Sequence, residues 1–168
     1  MKTLYLLRHA KSSWDDAALA DHDRPLAPRG RRATKLLAGY LRGEGIAPEL
    51  VLCSSARRAR ETLEGIAPAL GDQVEVQIAP ELYAGTEYDL IERVRVIADG
   101  VQSAMLIGHN PAVQALALDL AASGRKLDRI AGKYPTGALA TLAFEGSWPE
   151  LRRGSAELVA FVRPKDLG

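Results

Sequence analysis

Three short segments of this sequence place arginine and histidine where an anion could be bound and attacked. Arg8 and His9 follow a run of apolar residues, and His109 lies between a glycine and an asparagine. Arg58 comes soon after a pair of serines. A neutral imidazole can attack phosphorus and later be freed by water, and the forked donors of arginine match phosphate oxygens. These residue types predict phosphoryl transfer, with the charge held by fixed cations rather than by a metal.

Each segment also has an ordinary structural explanation. His9 alone could be a hydrogen-bonded histidine at the end of a strand, and the basic segment around Arg58 could face solvent. Asn110 could cap a helix that begins at Pro111. The capping explanation leaves His109 unaccounted for, and we expect a protonated His109 to supply positive charge beside the arginines.

Thr62 lies four residues after Arg58, on the same predicted helical face. A hydroxyl bonded to its own helix carbonyl and a functional role are equally good interpretations of this threonine.

The segments that must position these residues alternate between apolar runs and helical patterns. Such an alternation predicts an α/β sheet covered by helices on both faces. In sheets of this kind ligands bind outside the carboxyl ends of the strands, where all three segments fall. We predict strands at 3–7, 50–53, 74–78, 104–107, 137–144 and 157–162, a polar loop at 11–27, and helices at 28–43, 57–69, 86–97 and 111–124.

The composition indicates one globular domain spanning residues 1–168, with 47% apolar and 26% charged residues. A net charge of +1 gives no reason to expect nucleic acid or an anionic membrane as a partner. The single cysteine, Cys53, excludes an internal disulfide and is expected to be a buried apolar residue. Without a long apolar run or a signal peptide, a cytoplasmic location is the expectation.

With these motifs in view, the chain resembles the histidine phosphatase superfamily, the phosphoglycerate mutase-like proteins, and especially its short SixA-type phosphohistidine phosphatases. The family's Arg-His-Gly motif appears as Arg8-His9-Ala10, and its Gly-His motif as Gly108-His109. Its Ser-x-x-x-Arg-Ala-x-x-Thr motif appears at residues 54–62 and selects Arg58 rather than a neighbouring arginine. The segment "DRPLAPRG" looks like the family's Leu-Thr-x-x-Gly, with Leu26 and Gly30 retained.

The resemblance implies a three-layer αβα sandwich with a mostly parallel mixed sheet. It also implies a metal-independent phosphatase, without a cofactor, that forms a phosphohistidine intermediate on His9. Arg8, Arg58 and His109 would then hold the phosphoryl group. We assign Ser12, Ser13 and Asn110 to substrate binding.

The chain departs from the larger family members in two places. The insertion that carries their general acid is short here, which leaves Glu81, and beyond it Glu87 or Asp89, as candidates. Asp15 stands where the mutase-like members carry asparagine, so it is either a proton donor or a loop residue that forms a salt bridge elsewhere; we favour the salt bridge. We expect His22, flanked by two aspartates, to lie in a surface loop rather than in a metal site.

Three functions remain open on these grounds. The leading hypothesis is hydrolysis of phosphohistidine in a protein, because imidazole leaves with little help from a proton donor. The second is hydrolysis of a small phosphomonoester, such as a sugar phosphate or a nucleotide, by the same mechanism. The third is a phosphate-binding module without catalysis.

Overall fold

The computed structural model describes residues 1–124 and 127–168, which form one mixed sheet and the helices around it. The strands are β1 (Lys2–Arg8), β2 (Leu50–Ser54), β3 (Glu75–Ala79), β4 (Ser103–Gly108), β5 (Ala121–Gly124), β6 (Leu139–Phe144) and β7 (Ala156–Val162). The α-helices are α1 (Pro28–Glu44), α2 (Arg57–Leu70), α3 (Glu87–Arg95), α4 (Ala112–Leu120) and α5 (Leu127–Gly132). Short 3-10 helices lie at Asp21–Asp23, Pro80–Leu82, Trp148–Glu150 and Pro164–Asp166.

The sheet has the order β3-β2-β4-β1-β6-β7-β5. Strands β3, β2, β4 and β1 are parallel, whereas β6 runs antiparallel to both β1 and β7, and β5 runs parallel to β7. The apolar runs of β2 and β4 are buried almost throughout, as is typical of central parallel strands with a helix on each side.

Helices cover both faces of this sheet. Apolar side chains of α3 and α4 pack with one face, and those of α1 and α2 pack with the other, which gives two buried clusters. The predicted αβα sandwich with a mostly parallel mixed sheet is therefore confirmed. None of the helices in the described part of the chain is long and apolar enough to cross a membrane.

The prediction of a helix over 111–124 is wrong at both ends. Pro111 is the N-cap of α4 rather than its first helical residue, although Asn110 still accepts an N–H of the first turn, that of Gln114. At the other end Ala121–Gly124 leaves the helix and forms the short strand β5 beside β7. The edge of β7 supplies backbone hydrogen-bond partners for this segment, and that pairing replaces the helix.

The sheet register brings the three predicted segments together. Arg8 at the end of β1 is the partner of Gly108 at the end of β4, and Ile107 of β4 is the partner of Cys53 in β2. The carboxyl ends of β1, β4 and β2 therefore lie side by side, and the residues that follow them share one edge of the sheet.

Candidate active site

His9 and His109 face each other at this edge, with ring centroids 5.1 Å apart and ring planes 53° apart. Both follow buried strands, and only 6% of His9 is exposed. Arg8, one residue before His9, donates from Nη1 to the carbonyl of Tyr134 at 3.0 Å. Strand ends of a rigid sheet thus hold the two imidazoles and the first guanidinium.

The backbone selects one tautomer of His9. Nδ1 lies 2.7 Å from the carbonyl oxygen of Ala10, which can only accept, so Nδ1 carries the proton and Nε2 keeps its lone pair. Burial lowers the pKa of His9 to about 3. The hydrogen bond to Ala10 raises this pKa, whereas the charges of His109, Arg58 and Arg8 lower it further. At neutral pH this imidazole is uncharged, which is the form that attacks phosphorus.

Thr62 joins the helix of Arg58 to the segment of His9. Its hydroxyl donates to the Arg58 carbonyl at 2.7 Å and accepts the backbone N–H of Ala10 at 2.9 Å. The interpretation as a threonine bonded to its own helix carbonyl is therefore right, and the same oxygen also fixes the backbone next to His9.

Arg58 is 7% exposed and is held by Asp21 of the first 3-10 helix. Its Nη1 donates to the Asp21 carbonyl at 2.8 Å and its Nη2 to the Asp21 carboxylate at 3.0 Å. The hydroxyl of Tyr83 donates to the same carboxylate at 2.6 Å, and this bond, with those from Arg58 and Arg24, holds the pKa of Asp21 well below its usual range.

His109 is oriented by Ser54, whose Oγ lies 2.7 Å from Nε2. That Oγ already accepts the N–H of Ala56, which favours a hydroxyl that donates to Nε2 and a ring that carries its proton on Nδ1. Burial, then the charge of Arg58, lowers the pKa of His109 to about 4. The expectation of a protonated His109 is therefore wrong for the protein by itself: the ring is a neutral donor until an anion raises its pKa.

Three buried side-chain atoms lack a hydrogen-bond partner among the described residues, and all three belong to this cluster. They are Nε of Arg8, Nε of Arg58 and Nδ1 of His109. Buried polar atoms in native proteins are almost always paired, so an unpaired set calls for an explanation. Three N–H donors on side chains near His9 would suit the three oxygens of a phosphoryl group.

Ser12 and Ser13 lie next to this cluster and are engaged in building the loop. Arg24, which is 7% exposed, donates from Nη1 to the Ser12 hydroxyl at 2.9 Å and to the Ser13 carbonyl at 3.0 Å. The Ser13 hydroxyl accepts the backbone N–H of Asp15 at 3.1 Å. The substrate-binding role of both serines stays a prediction, and Arg24 is a buried residue that the sequence did not single out.

Asn110 supports the same carbonyl that Arg8 uses. Its Nδ2 donates to the Tyr134 carbonyl at 3.2 Å, and its Oδ1 accepts the N–H of Gln114 at 3.2 Å. Through Tyr134 this amide positions the Arg8 guanidinium, whereas a direct contact with substrate stays a prediction.

The two carboxylates predicted as possible general acids, Glu81 and Asp15, differ in their surroundings. Glu81 pairs with Arg93, their charged atoms lying 3.6 Å apart, and half of its side chain is exposed. Asp15 is exposed and pairs with no cation in the part of the chain that the structure describes, so the favoured salt bridge is wrong. The exposed loop leaves its carboxylate in water, where pairing gains little. Cys53 is fully buried, as expected, and burial raises its pKa to about 12.

Sequence reasoning missed Tyr83 and undervalued the loop at Asp21–Asp23. The Nε2 atom of His22 lies 2.9 Å from the Ser55 hydroxyl, and its ring meets the edge of Tyr83 with centroids 4.7 Å apart. The ring centroid of Tyr83 in turn lies 5.7 Å from that of His109. One signal was available: the chain has three histidines, and all three lie in this cluster.

Among the described residues no group of three or more candidate ligands could hold a metal.

Known proteins with similar sequences or structures share this architecture. Residues 4–84 match the family model of the histidine phosphatase superfamily, branch 1. The phosphohistidine phosphatase SixA of Escherichia coli is 30% identical over 119 residues, which cover 70% of this chain and 73% of that protein. A functionally uncharacterized protein of Mycobacterium leprae is 42% identical over 165 residues, which cover 95% of this chain and the whole of that protein.

Two solved structures superimpose on nearly the whole chain. One is the protein histidine phosphatase SixA complexed with tungstate, with a TM-score of 0.79, 26% identity and 99% coverage of both chains. The other, from Nakamurella multipartitia, is assigned as a SixA phosphohistidine phosphatase and has a TM-score of 0.85 and 30% identity, covering 97% of this chain and 96% of its own.

Proposed function

Because this chain belongs to the histidine phosphatase superfamily and is a phosphatase, we propose that it hydrolyses phosphohistidine in a protein through a phosphorylated His9. Three unpaired buried donors, on Arg8, Arg58 and His109, support this most directly, because they belong to side chains that lie near the neutral imidazole of His9. The tungstate-bound SixA and the E. coli SixA carry the same activity in their names, which supports the same substrate class here.

The proposed reaction has two displacement steps. In the first, the Nε2 lone pair of His9 forms a bond to phosphorus as the bond from phosphorus to the substrate imidazole breaks. The donors of Arg8, Arg58 and His109 hold the phosphoryl oxygens, and the Ala10 carbonyl stabilises the positive charge that develops on the His9 ring. In the second, a water oxygen attacks phosphorus, the bond to Nε2 breaks, and the water's protons pass to phosphate and solvent.

The leaving group decides between phosphohistidine and a phosphomonoester. An alkoxide must receive a proton as it departs, whereas a phosphoimidazole protonated on its other nitrogen departs as neutral imidazole. Glu81 is paired with Arg93, and Asp15 lies exposed in its loop. Neither carboxylate contacts the two histidines among the described residues, and this favours a substrate that needs no proton donor.

Trapping the intermediate tests this function. The protein, incubated with a protein substrate labelled on phosphohistidine, is expected to acquire acid-labile, alkali-stable label and to release phosphate equally well with and without a chelator. The His9→Gln variant is expected to acquire none. Label that persists in this variant would contradict the mechanism, and turnover of sugar phosphates or nucleotides but not of phosphohistidine would contradict the substrate class.

A matched pair of arginine variants tests the phosphate donors. We expect Arg58→Lys to lower kcat/KM by about 10²-fold or more, because the ammonium cannot replace the Nε donor of a bound guanidinium. Arg57→Lys serves as the control, since Arg57 lies on the exposed side of α2 and pairs with Glu61. Full activity in Arg58→Lys would show that positive charge alone, and not the Arg58 geometry, supports catalysis, and an equal loss in Arg57→Lys would show that the effect is not specific to Arg58.

A further inference from the structure

A second basic site lies at the same edge of the sheet, outside the histidine cluster. It is a pocket of about 200 Å³ between the first turn of α1, the segment before β6 and the turn after β7. None of the residues assigned to catalysis lines it. Its polar lining comprises five cations and one hydroxyl: Lys11, Arg29, Lys133, Arg163, Lys165 and Thr136.

Most of this positive charge is uncompensated. Lys11, Arg29, Lys133 and Lys165 are exposed and have no ion pair or side-chain hydrogen bond within the described residues. Arg163 alone has a carboxylate partner, Asp166 at 2.9 Å, and Arg129 shares that carboxylate at 3.1 Å. In a chain whose net charge is only +1, four unpaired cations in one concavity raise the local potential strongly.

The start of α1 adds to this potential. Ala27 is the N-cap residue and provides no side-chain cap, and the first turn of α1 contains no acidic residue. Positive ends of helices attract anions, and an acidic residue or a polar cap would ordinarily offset part of that charge. Here Arg29 in the first turn increases it and faces the pocket.

The pocket lies beside the catalytic histidine without sharing its donors. Lys11 is two residues after His9, which is at most about 7 Å of backbone. On the other side, Gly137 follows Thr136 and donates its N–H to the carbonyls of His9 at 2.9 Å and Arg8 at 3.0 Å. The two sites therefore adjoin the same short segments, the one that follows β1 and the one that precedes β6.

We propose that this pocket is a second anion-binding site, which takes a small ligand bearing two or more phosphate or carboxylate groups. Its volume is below the range typical of nucleotide-sized ligands, but two or three oxyanion groups fit it. Lysines supply the charge and Arg29 and Thr136 supply directed donors. The site does not depend on which phosphorylated substrate reacts at His9.

Calorimetric titration with methylenediphosphonate tests the proposal, because its P–C–P bridge resists hydrolysis. The wild-type protein is expected to bind two equivalents, one at each site. Arg58→Gln should lose the active-site equivalent and keep the other. Lys11→Gln/Lys133→Gln/Lys165→Gln should keep the active-site equivalent, lower affinity at the second site at least tenfold, and hydrolyse an aryl phosphate within about twofold of wild type.

An equally charged control separates a built site from general attraction. Arg32, Lys35 and Arg42 are exposed residues of α1 without ion pairs among the described residues, and their triple change to glutamine should leave both equivalents intact. One equivalent in wild type, lost with Arg58→Gln, would overturn the proposal, as would equal weakening in the two triple variants. Repeating the titration with citrate distinguishes a phosphate ligand from a carboxylate ligand.

Discussion

One backbone carbonyl sets the tautomer of His9, the proposed nucleophile. The Ala10 oxygen takes the Nδ1 proton of His9 and leaves Nε2 free, and burial among the arginines keeps the ring uncharged. Ala10, where the family motif has glycine, causes no conflict, because no described residue other than glycine has a positive φ. The residue type of His9 made attack on phosphorus conceivable, whereas its backbone and burial decide which ring nitrogen keeps its lone pair and whether the ring is charged.

Thr62 offers a test of how the segment beside His9 is held. Thr62→Val keeps the shape but leaves the Ala10 N–H and one acceptor of Arg58 without their partner, so we expect a loss of about 1–3 kcal/mol in the free energy of unfolding. If His9 is the nucleophile as proposed, misplacing its imidazole should lower kcat more than it changes KM. Thr62→Ser keeps the oxygen and should restore kcat; if serine is as slow as valine, the methyl group and not the hydroxyl bond matters.

At the scale of elements, close approaches of α1 hold the site together. A Cβ on Gly65 of α2 would lie 2.1 Å from Oγ1 of Thr34 in α1, and one on Gly30 would lie 2.1 Å from the Lys11 carbonyl oxygen. Hydrophobic periodicity predicted both helices, but it could not show that Gly30 lets α1 touch the segment after His9. The resemblance alone singled out Gly30, and nothing in the sequence pattern singled out Gly65.

Two glycine variants separate the effect of packing from that of helix propensity. Gly65→Ala should destabilise the protein by about 1–3 kcal/mol, because α2 must move away from Thr34. Gly39→Ala in α1 meets no atom within 4 Å and should stabilise it by about 0.4–1 kcal/mol, since alanine loses less conformational entropy in a helix. Urea unfolding of both variants measures the difference, and changes of the same sign would disprove the close contact.

At the scale of the whole molecule, folding keeps two histidines uncharged at the sheet edge. The folded-state pKa values of His9 and His109, about 3 and about 4, lie below the ordinary value of 6.5. As the pH falls below 6.5, the unfolded chain therefore takes up protons that the folded protein refuses. The stability from these two residues is fully present above that pH and is lost as the pH falls towards the folded pKa values.

This difference predicts an acid-sensitive protein in a defined window. Between pH 7 and pH 5 the free energy of unfolding should fall by roughly 2 kcal/mol per buried histidine. In His9→Gln about half of that dependence should disappear. Urea unfolding at several pH values checks both statements. A flat profile in the wild type would mean that the two rings are not held neutral.

The sequence by itself determined the chemistry-bearing residue types and the architecture. Arg8, His9, Arg58 and His109 fall after apolar runs, and both the motif spacing and the hydrophobic periodicity are local properties that a sequence displays. The partners of these residues were decided by tertiary packing, because they come from segments far apart in the chain. Asp21, itself bonded by Tyr83, holds Arg58, and Ser54 orients His109. The pairing of β5 with the edge of β7 is likewise a tertiary contact.

The charges of the site were decided only by tertiary structure. A protonated His109 was the natural expectation from its residue type, yet burial and the nearby arginines make it neutral. The second basic pocket likewise combines residues from four separate parts of the sequence, the first at Lys11 and the last at Lys165. Electrostatic energy depends on the distances between charges and on their burial, and both are fixed only when the helices pack against the sheet.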